Sequence, residues 1–365
     1  MTRPGRCTRA SAEEMKEQLQ ELLGRRRVTT IRWNSLSMEI IASILSHLQL
    51  VEMAECSRVS STWRKALSKI DSIRIHLNSE RNDLILSFAA RYLKSLSSIA
   101  IVWDNEHYFA DYEDLCNLLS FQCRKNLKHF SFEGDPSLDE CSDCIDLSML
   151  EGQGALETLV LREYPMNNRF FDLREILNNK MRLKKLVITN PEFRGDDEDF
   201  RYTQEFSALV GKMHNLETLD ILGCFNFRTL DADVLLSGLK SLRSLRIGNA
   251  NDKSLKVISK HCSKLRKLEI IDGDDSGEFA TLDGIIAVLR SCPIEYLHAP
   301  DLPSSERGVE DLKRVCKANE VLKELTVCSY FMEKVKPFVS EDAARQAMMD
   351  AVAEAGKGRI KLKIP

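Results

Sequence analysis

Residues 215–221 read NLETLDI, and the same phrase returns along the chain as SLRSLRI at 241–247, KLRKLEI at 264–270 and VLKELTV at 321–327. Nine such segments share the form apolar-x-x-apolar-x-apolar, with first apolar residues Leu96, Leu127, Leu156, Leu183, Leu216, Leu242, Leu265, Ile294 and Leu322. Their spacings run 31, 29, 27, 33, 26, 23, 29 and 28 residues. A fixed phrase at intervals of this size marks stacked structural repeats, here of the leucine-rich kind. Within each phrase the alternation sends two apolar side chains to one face of a strand and the residues between them to the other.

A helical pattern precedes most of the strands. In LKVISKHCSKLRKLEI, Leu255, Ile258, Cys262 and Leu265 recur at intervals of 3, 4 and 3, one stripe of a helix. A single helix–strand unit cannot cover its own apolar side, but a stack of them builds a continuous core. The expected fold is therefore α/β: a curved solenoid whose parallel strands line the concave face, with helices outside. Cys262, Cys292 and Cys316 fall late in these helices and read as small packing residues. Asn190, Asn249 and Cys224 are placed in turns after strands.

The outward strand positions are the ones free to vary. Thr218 and Asp220, Ser244 and Arg246, Lys267 and Glu269, and Tyr296 and His298 form side-by-side columns and are the candidate residues for holding a protein substrate. The columns mix signs, which argues against nucleic acid as the partner.

Residues 31–70 break the period. Three short helices are expected, the first carrying Ile40, Ile41, Ile44, Leu45 and Leu48, the second Leu50, Met53 and Ala54, and the third Val59, Trp63, Ala66, Leu67 and Ile70. Forty residues make a core too small to stand comfortably without a neighbour or partner. The stretch resembles the F-box family: Leu36, Glu39, Ile40, Ile44, Leu45, Leu48, Val59 and Trp63 match its pattern in order and spacing. Ser37 stands where the family has Pro, and Ser60 where it has Cys; a Ser at position 37 can cap the same helix while Glu39 meets its positive end. Proteins that join an F-box to leucine-rich repeats are non-catalytic substrate receptors of Skp–cullin–F-box ubiquitin ligases. The resemblance implies that Leu36, Ser37, Ile40, Ile44, Leu48, Val59 and Trp63 bind the Skp adaptor, and that cullin and RING subunits join through it. A stand-alone repeat scaffold that binds proteins, or a receptor for a small molecule, is the alternative.

The expected domains are a tail at 1–30, the F-box at 31–75, repeats at 76–335 and a C-terminal cap at 336–365. In the cap, Ala344, Met348 and Val352 share one side of a helix stopped by Gly356 or Gly358. Ile73, Ile75 and Leu77 alternate as a degenerate first strand.

No other chemistry is indicated. Cys141 and Cys144 lack the second ligand pair a zinc site needs. Residues 272–283 approach a calcium loop but end in Asp283 rather than a bidentate Glu. The aromatic residues Phe193, Phe200, Tyr202 and Phe206 of an acidic insertion suit either recognition or packing. No catalytic motif, cofactor site or metal site is expected. The net charge of −3 gives no pull toward nucleic acid or membrane, and no run of residues is long and apolar enough for a transmembrane helix. The eleven scattered cysteines suit a reducing compartment, cytosol or nucleus.

Overall fold

The structure, a computed structural model, describes residues 36–77, 82–103, 127–134, 150, 153–163, 170–178, 180–189, 200–222, 230–271, 280–299, 308–327 and 341–364. The N-terminal tail, Cys141 and Cys144, Asn190, Phe193, Cys224 and all but the last residues of the 272–283 segment lie outside these.

Three short helices come first: α1 (Met38–Leu45), α2 (Leu50–Cys56) and α3 (Ser61–Ala66), the last continued by a 3-10 turn at Leu67–Lys69. Each start is fixed by a local hydrogen bond. Ser37 Oγ accepts from Ile40 N at 3.4 Å, Ser60 Oγ accepts from Trp63 N at 3.2 Å, and Gln49 N donates to Glu52 Oε2 at 2.8 Å. Such caps are worth about 1 kcal/mol each, which matters for helices of two turns.

Eleven strands follow in one sheet, all parallel and ordered as in the sequence. They are β1 (Ser72–Leu77), β2 (Ser98–Trp103), β3 (His129–Glu133), β4 (Thr158–Arg162), β5 (Lys185–Thr189) and β6 (Thr218–Asp220), then β7 (Ser244–Gly248), β8 (Lys267–Ile271), β9 (Tyr296–His298), β10 (Glu324–Thr326) and β11 (Lys361–Lys363). The described helices between them are α4 (Asn82–Tyr92), α5 (Phe170–Leu177), α6 (Phe200–Val210), α7 (Ala232–Ser237), α8 (Asp252–His261), α9 (Leu282–Ser291), α10 (Gly308–Ala318) and α11 (Glu341–Gly356). Parallel strands stand about 4.8 Å apart whereas packed helices need 8–10 Å, so the stack bends with the sheet inside.

The nine first apolar residues of the repeated phrase are all buried, none more than 1% exposed. One core cluster runs from Ile41 to Ile360, so the three N-terminal helices and the sheet share a single interior. Register is pinned at the strand entries. The carbonyl just after the first apolar residue accepts two N–H groups of the next repeat: Lys184 O from Glu217 N and Thr218 N, at 2.7 and 2.9 Å, then Glu217 O from Arg243 N and Ser244 N, at 2.8 and 3.0 Å. This clamp is indifferent to the length of the segment between strands, which is how intervals of 23 to 33 residues fit one sheet.

Two expectations need correction, and one open alternative is resolved. The last residues are more than a capping helix: after α11 the chain turns through Lys357 and Gly358, both with positive φ, and adds the eleventh strand. Ile360 is buried and Leu362 and Ile364 half-buried, so the alternation continues. Val59, placed inward on the third helix, is 72% exposed, because it sits in the turn before α3 rather than on its core stripe. Phe206 is fully buried on α6, which settles the packing role for that aromatic.

Candidate functional site

In the N-terminal helices the apolar residues divide into two sets. Ile41, Ala42 and Leu45 of α1, Leu50, Met53 and Cys56 of α2, and Trp63, Ala66, Leu67 and Ile70 face the interior. The other set faces out: Met38 at 37% exposure, Ile40 at 50%, Val51 at 50% and Val59 at 72%. Of the nine exposed large apolar side chains among the described residues, these four fall within 22 residues of sequence.

Of the residues expected to bind an adaptor, Ile40 and Val59 are exposed, Leu36, Ile44 and Leu48 are half-buried, and Ser37 is exposed at the head of α1. Trp63 is different. It is 7% exposed and belongs to the core, so it shapes the surface without being on it. Met38 and Val51 are additions the spacing did not single out. Both lie off the buried stripes of their helices, and only knowledge of which stripe is buried identifies them.

The second candidate is the sheet face turned away from the helices. Register brings its residues into rows across the sheet. One row runs Thr218, Ser244, Lys267, Tyr296, Glu324, Lys361, and the next runs Asp220, Arg246, Glu269, His298, Thr326, Lys363. All eight residues expected to hold a substrate therefore stand on neighbouring strands of one surface.

The charges within the rows are largely spent on each other. Arg246 Nη1 lies 3.3 Å from Asp220 Oδ2, Arg246 Nε lies 2.9 Å from Glu269 Oε2, and Lys267 Nζ lies 2.5 Å from Glu269 Oε1. The Nε contact is close but off-line, an ion pair rather than a formed hydrogen bond. Asp220 is only 7% exposed despite its outward position, since Arg246 covers it and Leu222 N donates to its Oδ1 at 3.3 Å. The expected column of free alternating charge is thus a closed network over β6–β8.

Beyond the network, β8–β11 enclose a cleft of about 450 Å³ lined by Lys267, Glu269, Tyr296, Leu297, His298, Glu324, Thr326 and Lys363. Lys363 Nζ is paired with Glu324 Oε1 at 2.7 Å. Tyr296 is 41% exposed.

A second set of charges runs along the strand entries. Lys184 Nζ meets Glu157 Oε2 at 2.7 Å, and Glu295 is gripped by both Arg266 and Lys323. Hydrogen bonds from these ammonium groups hold the carboxyls of Glu157 and Glu295 below the usual carboxylate range, and the same contacts raise Lys184 and Lys323. The cysteines are silent by comparison. Burial pushes Cys262 up to about 12 and Cys292 and Cys316 up to about 11, so their thiols stay protonated and unreactive near neutrality. No group of three metal-ligating side chains occurs among the described residues. Asp283, the last residue of the calcium-loop look-alike, is instead ion-paired to Arg314 at 2.5 Å.

Comparison with known proteins bears on the N-terminal helices. The F-box domain family matches residues 33–74. No curated protein sequence matches the chain. Among solved structures the chain is similar to one from the Rad7 and Elc1 complex in yeast, at 13% identity over 89% of this chain and 94% of that one, with a TM-score of 0.46. It is similar to the leucine-rich repeat-containing protein LegL7 from Legionella pneumophila, at 12% identity over 81% and 83% of the two chains and a TM-score of 0.38. It also matches the LRR protein LIC12759 of Leptospira interrogans, at 10% identity over 82% and 91% and a TM-score of 0.22. Residues 33–74 are an F-box domain, and the parallel array built on it has the leucine-rich-repeat fold.

Proposed function

We propose that this chain is the substrate-recognition subunit of a Skp–cullin–F-box ubiquitin ligase, without catalytic activity of its own. The F-box docks on the Skp adaptor, through which cullin and RING subunits assemble, and the open sheet face holds a target protein. One observation carries the reading: Met38, Ile40, Val51 and Val59 leave apolar surface uncovered on a domain whose core is already complete. A monomer gains nothing from that arrangement, and a hydrophobic partner surface gains a few kcal/mol per buried anchor. Leu36, Ile44 and Leu48 are half-buried, and Leu36 and Leu48 pack against the core. Both cytosol and nucleus remain natural settings for such a subunit.

The test is co-expression of the full chain with a Skp-type adaptor. Wild type is expected to retain the adaptor through affinity purification, and Ile40→Asp with Val59→Asp to lose it while keeping the wild-type melting temperature. Retention by the double variant, or no capture by wild type, would sink the reading.

A further inference from the structure

The sheet face turned away from the helices is basic on a chain whose net charge is −3. Among the described strands this face carries four acidic residues, Glu133, Asp220, Glu269 and Glu324. Each is ion-paired within the face, to Arg74, Arg246, Lys267 or Lys363. Three more cations, Arg162 on β4, Lys185 on β5 and Lys361 on β11, have no ion pair. Seven basic residues against four acidic ones leave three positive charges over, and every charge that is not neutralised is a cation.

The cleft over β8–β11 concentrates this asymmetry. Its two carboxylates, Glu269 and Glu324, are occupied by Lys267 and Lys363. Tyr296 and His298 stand between them on β9 with no hydrogen-bond partner, and Lys361, two strands further along the row of Tyr296 and outside the cleft lining, places an unpaired ammonium group beside it on β11. An entering anion therefore meets hydroxyl and imidazole donors without displacing any existing pair, with an unpaired ammonium group on the bordering strand. An entering cation would find no free carboxylate. A nucleic acid needs a run of closely spaced phosphate contacts and aromatic platforms for its bases. The unpaired cations of β4–β5 and of β11 are instead about 29 Å apart, six strand spacings, and Tyr296 is the single Phe, Tyr or Trp side chain on this face among the described strands.

We infer that the open sheet face binds an acidic peptide segment of the recognised protein, with one Glu or Asp carboxylate seated in the β8–β11 cleft against Tyr296 and His298 and a second acidic residue of the segment facing Lys361 beside the cleft on β11. The inference rests on the substrate-receptor reading and names the chemistry of the substrate.

The experiment is fluorescence anisotropy with the full chain and a fluorescein-labelled peptide of alternating glutamate and serine. A glutamine–serine peptide and a single-stranded oligothymidylate serve as competitors of different chemistry. The glutamate peptide is expected to bind tightest, and to weaken as salt rises. Loss of one charge-assisted bond in Lys361→Gln should weaken it about tenfold, with a smaller loss in Tyr296→Phe. Lys253→Gln, on the exposed side of α8, should change nothing. The inference is overturned if the glutamine peptide binds equally well, if the oligonucleotide binds more tightly, or if a folded Lys361→Gln chain keeps full affinity. Adaptor capture on the same preparations separates the two readings. A chain that binds peptide but no adaptor overturns the ligase reading alone, and one that binds adaptor but not the peptide overturns only the cleft.

Discussion

The F-box and the repeat array are made from the same ingredients, short amphipathic helices with leucine and isoleucine stripes, yet they end differently. In the array nearly every patterned apolar residue is buried by the next repeat, and the outward charges of the middle strands close on one another. In the F-box the helices are too few to cover each other, and Ile40 and Val59 stay in solvent. A repeat completes its neighbour. Among the described residues, the three-helix box meets the helices of the array where α2 packs on α4. The apolar surplus of the box stays in solvent.

The strongest way to break this comparison is to break the stack. Leu219 is fully buried on β6, and Leu219→Asp would place an unpaired charge between repeats, at a cost of about 4 kcal/mol or more. Gly238→Ala attacks the same joint from the helix side. A Cβ on Gly238 would lie 1.6 Å from the carbonyl oxygen of Gly211, backbone against backbone, with no flexible side chain to give way. Both variants should lower the melting temperature sharply and broaden the transition as repeats uncouple. An unchanged melting curve for either would contradict the inward assignment of this joint.

The next effect separates core from surface within the F-box. Trp63→Ala removes a buried aromatic and should cost about 3–5 kcal/mol of stability, with adaptor capture failing because the box loosens. Ile40→Asp and Val59→Asp, at exposed positions, should alter stability by no more than about 0.5 kcal/mol while abolishing capture. Circular dichroism beside the pull-down distinguishes the two routes. If Trp63→Ala melts like wild type, its place in the core is wrong.

A smaller effect belongs to the sheet network. Arg246→Met would leave Asp220, its side chain 10% exposed, without an ion-pair partner and Glu269, 16% exposed, with Lys267 alone, two like charges on strands flanking β7. Because Arg246 is itself about one-third exposed, the cost is nearer 2 kcal/mol than the full penalty of a buried pair. Adding Asp220→Asn and Glu269→Gln to Arg246→Met should recover most of it. Failure of that rescue would mean Arg246 stabilises the sheet through its packing and not through its charge.

These regions also differ in how much of them the sequence discloses. The array was legible because burial there follows a strict alternation: Leu216, Leu219 and Ile221 are buried where the pattern puts them. The eleventh strand was not recognised because Ile360, Leu362 and Ile364 make a single short alternation after a helix that already looked like an ending. In the F-box the spacing identified the residues but not their direction. On helices of six to eight residues an apolar position can face either side: on α1 Ile40 is exposed and Ile41 buried. The ion pairs of the open face were beyond reach. Asp220 and Arg246 are 26 residues apart, and only the sheet register makes them neighbours.

The smallest expected effect sharpens the contrast between the network and the charge ladder at the strand entries. Glu157 and Glu295 have carboxyls held low by their lysine partners, so each contributes stability above the ordinary carboxylate range and loses it as pH falls through the lowered value. Lys184 and Lys323 are raised, so their contribution is present below the ordinary lysine range and disappears as pH climbs through the raised value. Between those limits the ladder is fully charged and flat. These groups are solvent-facing and screened, so the melting temperature should fall only slightly at either end, and less at high salt. Lys184→Gln with Lys323→Gln should flatten the alkaline arm and, by freeing Glu157 and leaving Glu295 to Arg266 alone, shrink the acid arm too. Should both arms persist undiminished in that double variant, the pH dependence arises elsewhere, and the strand entries are held by their paired backbone hydrogen bonds without help from the side chains.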